Sequence, residues 1–102
     1  MPGVGKLLKQ AQKMQRSIET LEAELEKRQI DVAAAGGAVR VKVAASGTFL
    51  GLELDADFLK EEPKVVAGTL LAAFQDAARQ AKECHDSEMK KITAALQMPG
   101  LF

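Results

Sequence analysis

Four cations stand at Lys6, Lys9, Lys13 and Arg16, and no acidic residue precedes Glu19. At 100° per residue, with Lys6 at zero, they project at about 0°, −60°, −20° and −80°, so on a helix they share one stripe. That stripe is about 15 Å long, comparable with the roughly 12 Å width of a DNA major groove and with a run of successive phosphates. Any amphipathic helix needs a charged outer face, and lysine commonly supplies it. Solvated faces usually mix signs, however, and this one does not. Arg40 and Lys42, on one face of a strand pattern, and Arg79 and Lys82, within a helical pattern, could also reach phosphate. Ordinary solvated surface is the default reading of both pairs. The chain has no Trp or Tyr, so a stacking platform for single-stranded bases is not expected.

Other reactive side chains lack partners. Cys84 is the only cysteine, which rules out an intrachain disulfide and a zinc site of several thiolates. His85 adjoins it, but neighbouring side chains on a helix diverge by 100° and no second histidine exists. His85 is therefore expected to be a hydrogen-bonded structural residue, and Glu19, Glu22, Glu24 and Glu26 to be solvated surface. Gly36-Gly37 and Ser46-Gly47 read as turns, since neither leads into a helix as a phosphate loop must. An enzyme is the least supported class, and no cofactor, metal or small-molecule substrate is expected. Net charge is zero with 14 basic and 14 acidic residues, so any affinity for nucleic acid must come from local charge segregation. The N-terminal residues carry charge too often for a signal peptide. The longest nearly uncharged stretch, Val65 to Phe74, is about half of what spans a bilayer, and reads as a buried helix. A cytoplasmic location without membrane contact is expected.

The elements that would carry these residues follow from periodicity. Leu7, Ala11, Met14, Ile18, Leu21 and Leu25 alternate steps of four and three, a heptad seam on a helix over about 6–28 that begins after the breaker-rich Pro2-Gly3-Val4-Gly5. The seam centres near +100°, roughly opposite the basic stripe. Over about 29–55, Ile30-Asp31-Val32, Val39 to Val43 and Leu50 to Leu54 alternate in character and are separated by glycine-bearing turns, which predicts an antiparallel three-stranded meander. Phe49 falls on the polar face by this count, which suggests that part of that face is covered. Pro63 opens a second long helix, to about residue 97, with a stripe of Val66, Leu70, Phe74, Ala77 and Ala81 that weakens through Met89, Ile92 and Leu96. A break near Asp86-Ser87 is possible, and a short apolar tail, 98–102, ends the chain. One α+β domain over 1–102 is predicted, an α-β-β-β-α chain.

Three five-residue strands cannot cover the first helix, about 34 Å long, as well as the second. An uncovered heptad seam is an apolar strip that monomers rarely tolerate, so a homodimer is expected. Packing of the two helices within one chain is the alternative.

Together these residues resemble the YbaB/EbfC family of bacterial nucleoid-associated proteins. Leu8-Lys9-Gln10-Ala11-Gln12-Lys13-Met14-Gln15 looks like that family's opening helix, and Val41-Lys42-Val43 followed by Ser46-Gly47 resembles its central hairpin. Leu52-Glu53-Leu54-Asp55, Ala72-Ala73-Phe74-Gln75-Asp76-Ala77-Ala78-Arg79 and Met98-Pro99-Gly100 are similar to later segments, in the same order. The resemblance implies a tweezer-like homodimer that binds double-stranded DNA through projecting helices with little sequence discrimination. It also implies a role in nucleoid organisation and gene expression. The DNA-facing residues it implies are Lys6, Lys9, Lys13, Arg16 and Arg79. The competing reading is a coiled-coil protein-interaction module with incidental or no DNA binding.

Overall fold

A computed structural model describes residues 2–96 and has the order α1 (Pro2–Lys27), β1 (Gln29–Ala34), β2 (Val39–Ala44), β3 (Phe49–Leu54) and α2 (Pro63–Leu96). Residues 98–102, expected as an apolar tail, lie outside the described residues. The strands form one antiparallel sheet in the order β1-β2-β3. Gly36, Gly37 and Gly47 have φ of +67°, +96° and +99°, the left-handed backbone that the two turns require.

Helix α1 starts at Pro2, earlier than expected, because proline fits a first helical turn, where its missing N–H would have no partner. Gly3 and Gly5 lie inside it at a cost of about 1 kcal/mol each relative to alanine. Helix α2 runs unbroken past Asp86-Ser87. Among the described residues no helix is long and apolar enough to cross a membrane.

The main core lies between α2 and one face of the sheet. Val32, Val39, Val41 and Val43 pack with Phe58 and the small stripe Ala73, Ala77 and Ala81. Alanines at these helix positions let α2 lie close to the valine rows. The stretch Val65 to Phe74 is not buried all round as expected. One face of it meets the sheet, while Val65 and Leu71 remain exposed.

Phe49 also departs from the expected alternation. In the β2–β3 ladder Lys42 pairs with Gly51 and Val43 with Phe49, so Leu50 is an extra residue and the register shifts. This bulge turns Phe49 to the face of Val43, where its ring meets Phe74 edge-on with centroids 5.0 Å apart and planes at 79°.

A second, smaller core joins the helices. Leu21 and Leu25 of α1 pack with Ala45, Cys84, Met89 and Ile92. Leu25 is fully buried, and Leu25→Ala is expected to lower stability by about 2–5 kcal/mol, read as a reduced urea midpoint. The outer face of the sheet is polar, with the Glu53 carboxylate shared by Arg40 (3.1 Å) and Lys42 (3.5 Å), and Arg40 also reaching Asp55 at 3.3 Å.

Candidate nucleic-acid interface

Contacts at the base of α1 fix how the two helices run. Arg28, just past α1, reaches Cys84 Sγ at 3.4 Å and Glu88 Oε1 at 3.3 Å. Farther back along α1, Leu21, Thr20, Ser17, Arg16 and Lys13 line a groove with Ile92. The helices are thus antiparallel. The projecting half of α1 runs from Pro2 to Arg16, about 22 Å, and its last turn, Lys13 and Arg16, still lines the groove with Ile92. The molecule is correspondingly elongated, 70 × 22 × 17 Å with a radius of gyration of 19.9 Å, against about 13 Å for a compact chain of this length.

The expected heptad seam is therefore divided. Its C-terminal part, Leu21 and Leu25, is buried within the chain, whereas Leu7 on the projecting part is 59% exposed, and Val4 and Leu8, outside the expected seam, are 61 and 60% exposed. Lys6, Lys9, Lys13 and Arg16 are all exposed on this same projecting half. Lys13 and Arg16 flank the groove beside Ile92, and Lys6 and Lys9 lie farther out.

Net neutrality conceals a marked separation of charge. The projecting half carries four cations and no acid, while residues 29–62 hold six acidic residues against three basic, a local net charge of −3. Such a polarity presents one end of the molecule to a polyanion and turns the other away.

Arg79 is separate from this cluster. It lies about 20 Å along α2 from Ile92. It is also engaged, bonding to Asp76 and, at 3.0 Å, to Glu83. The Asp76 carboxylate first, then that of Glu83, hold its guanidinium proton more firmly than usual. A phosphate would have to compete with both. Arg40 and Lys42 are similarly occupied by Glu53, whose carboxyl they hold below the usual carboxylate range. At the foot of α1, Lys91 and Arg28 lower the Glu88 carboxyl in the same way.

Lys90 escaped the reading of the sequence. It is exposed and makes no ion pair among the described residues. The antiparallel course of the helices brings it to the basic end of the molecule, two residues before Ile92. The only signal for it was the weak stripe through Met89 and Ile92, which indicates contact but not with what.

Residues 1–96 match the sequence profile of the YbaB/EbfC DNA-binding family. The chain belongs to the YbaB/EbfC DNA-binding family. A nucleoid-associated protein of Alkaliphilus metalliredigens is 33% identical over 102 residues, covering 99% of this chain and 90% of its own. One of Clostridium novyi is 36% identical over 108 residues, covering 99% and 95%. In structure the chain is similar to an uncharacterized protein of Helicobacter pylori, with a TM-score of 0.77 over 88% of this chain and 92% of that one. At 20% identity this second likeness concerns the fold, and the α-β-β-β-α arrangement of this YbaB/EbfC member is shared with it.

Proposed function

We propose that this YbaB/EbfC chain binds duplex DNA as a homodimer, with little sequence discrimination, and acts in the bacterial nucleoid on chromosome organisation and gene expression. The observation that carries the proposal is the projecting half of α1, where Lys6, Lys9, Lys13 and Arg16 stand exposed with no acidic residue among them. Family membership and the names of the relatives support it. Flexible cations on a helix face suit phosphates better than base edges, so register on the duplex is set without reading sequence. Arg79 is the weaker member of the interface, because its two carboxylate partners must first release it.

The dimer is proposed through β3 and the adjoining side of α2. Helix α2 covers β1 and β2, leaving Leu52 of the edge strand 42% and Leu71 59% exposed beside the Phe49–Phe74 pair. A second copy closes this patch with the same surface of its own.

Fluorescence anisotropy of labelled duplex across a salt series tests the proposal. With four phosphates neutralised per subunit, log affinity against log salt has a slope of at most about −7. A slope near zero would favour the other reading, a protein-docking module, for which exposed Val4, Leu7 and Leu8 are the specific observation.

A further inference from the structure

We propose that the hollow between the β2–β3 turn and α2 is a phosphate-binding site formed by Ser46, Lys82 and His85. The hollow has a volume of about 260 Å³ and is floored by Ala45, Ala78 and Ala81, with Ser46, Gly47, Lys82 and His85 around it. That is below the roughly 300–1,000 Å³ of pockets that enclose whole small ligands, and suits a single group.

The turn offers a backbone donor there. Gly47, at φ +99°, closes the turn by giving its N–H to the Ala44 carbonyl at 2.8 Å, and Ala45 gives its own to Arg28 at 2.9 Å. The Ser46 amide between them donates to no carbonyl among the described residues. Turns with a left-handed residue present such free amides as small anion-binding concavities. The Ser46 hydroxyl lies 3.5 Å from Thr48 Oγ1, to which it donates, and would turn from it to reach a phosphate oxygen.

Lys82 is four residues before Asp86, the spacing of a helical ion pair, yet it pairs with no carboxylate among the described residues. Asp86 lies instead 3.4 Å from His85 Nδ1, leaving Nε2 as the ring nitrogen without a partner. The remaining nearby acids are occupied, Glu83 by Arg79 and Glu88 by Arg28 and Lys91. An ammonium without a carboxylate partner and a free amide at one hollow, beside a hydroxyl that can turn and an imidazole whose Nε2 donates when the ring is protonated, suit a tetrahedral oxyanion that accepts from several directions.

The phosphate has two possible sources. One is the backbone of bound duplex, which rests on the DNA reading and extends its footprint to the foot of α1, about 18 Å below Arg16. The other is a free phosphate monoester, which is independent of that reading.

Amide chemical shifts of the full chain, titrated separately with inorganic phosphate and with a short duplex, distinguish these. Phosphate is expected to move the Ser46 and Gly47 resonances, and Lys82→Ala to weaken this response about tenfold, the scale of one charge-assisted hydrogen bond. Lys82 is exposed, so the variant folds. If the duplex moves the same amides and Lys82→Ala suppresses that too, the source is DNA. If only inorganic phosphate does so, the source is a free monoester. Should neither probe move Ser46 and Gly47, or should both move them equally in Lys82→Ala, the site does not exist. Duplex binding that leaves these amides still overturns the site's role in DNA contact alone. Absence of duplex binding with the phosphate response retained overturns the DNA reading alone.

Discussion

Lys9→Glu combined with Lys13→Glu is expected to weaken duplex binding on the order of a thousand-fold, alike on unrelated sequences. Both side chains are exposed on the projecting half of α1, and the ion pairs among the described residues include neither of them. Two contacts are lost per subunit and four per dimer, and each is replaced by a like charge facing a phosphate. At about 0.5 kcal/mol for each contact removed and a similar amount for each repulsion introduced, eight increments sum to about 4 kcal/mol. Loss of four phosphate contacts should also flatten the salt slope by about 3 to 4. Stability should stay within about 0.5 kcal/mol, since the changes are at solvent-facing positions. Anisotropy with two unrelated duplexes, on protein shown folded by circular dichroism, provides the measurement. Parental affinity in the double variant would leave the stripe a solvated face and place the DNA surface elsewhere.

The second large effect concerns assembly. Leu71→Glu is expected to convert the proposed dimer at micromolar concentration into a monomer of 10.9 kDa. Leu71 stands on the side of α2 that includes Phe74, whose ring meets Phe49 of the edge strand, with Leu52 also exposed on β3. In a two-fold arrangement one substitution enters the interface twice, and each buried carboxylate without a partner costs several kcal/mol. The folded monomer should survive, because Leu71 is 59% exposed and outside the alanine stripe that forms the core. Sedimentation equilibrium decides it. A dimer that persists in Leu71→Glu would move the interface to the exposed apolar side of α1, where Leu7→Glu becomes the disrupting change.

The two effects are separable in principle. A monomer that retains the α1 stripe should bind duplex with about half the salt slope, whereas the charge-reversed dimer should assemble normally and bind poorly. Their combination distinguishes a chain that needs two arms from one in which each arm acts alone.

The order and type of the elements were present in the residues themselves. Period-four-and-three spacing from Leu7 to Leu25, alternation from Val39 to Val43, the glycine turns and Pro63 are local properties of the chain, and each predicts the element found there. The basic stripe was equally legible, because four like charges within three turns share a face whatever the helix packs against. Three features were decided by tertiary contact. Phe49 turns to the α2 side of the sheet, against Phe74, because a bulge at Leu50 offsets strict alternation, and alternation read from the sequence assumes that no residue is extra. The heptad seam is half buried and half projecting because antiparallel α2 meets only the C-terminal part of α1, and a periodic pattern marks a face that needs covering without saying how far the cover reaches. Ser46, Lys82 and His85 meet only because the turn folds onto α2. Residues more than thirty positions apart have no spacing rule to join them, so their meeting is a property of the packed molecule alone.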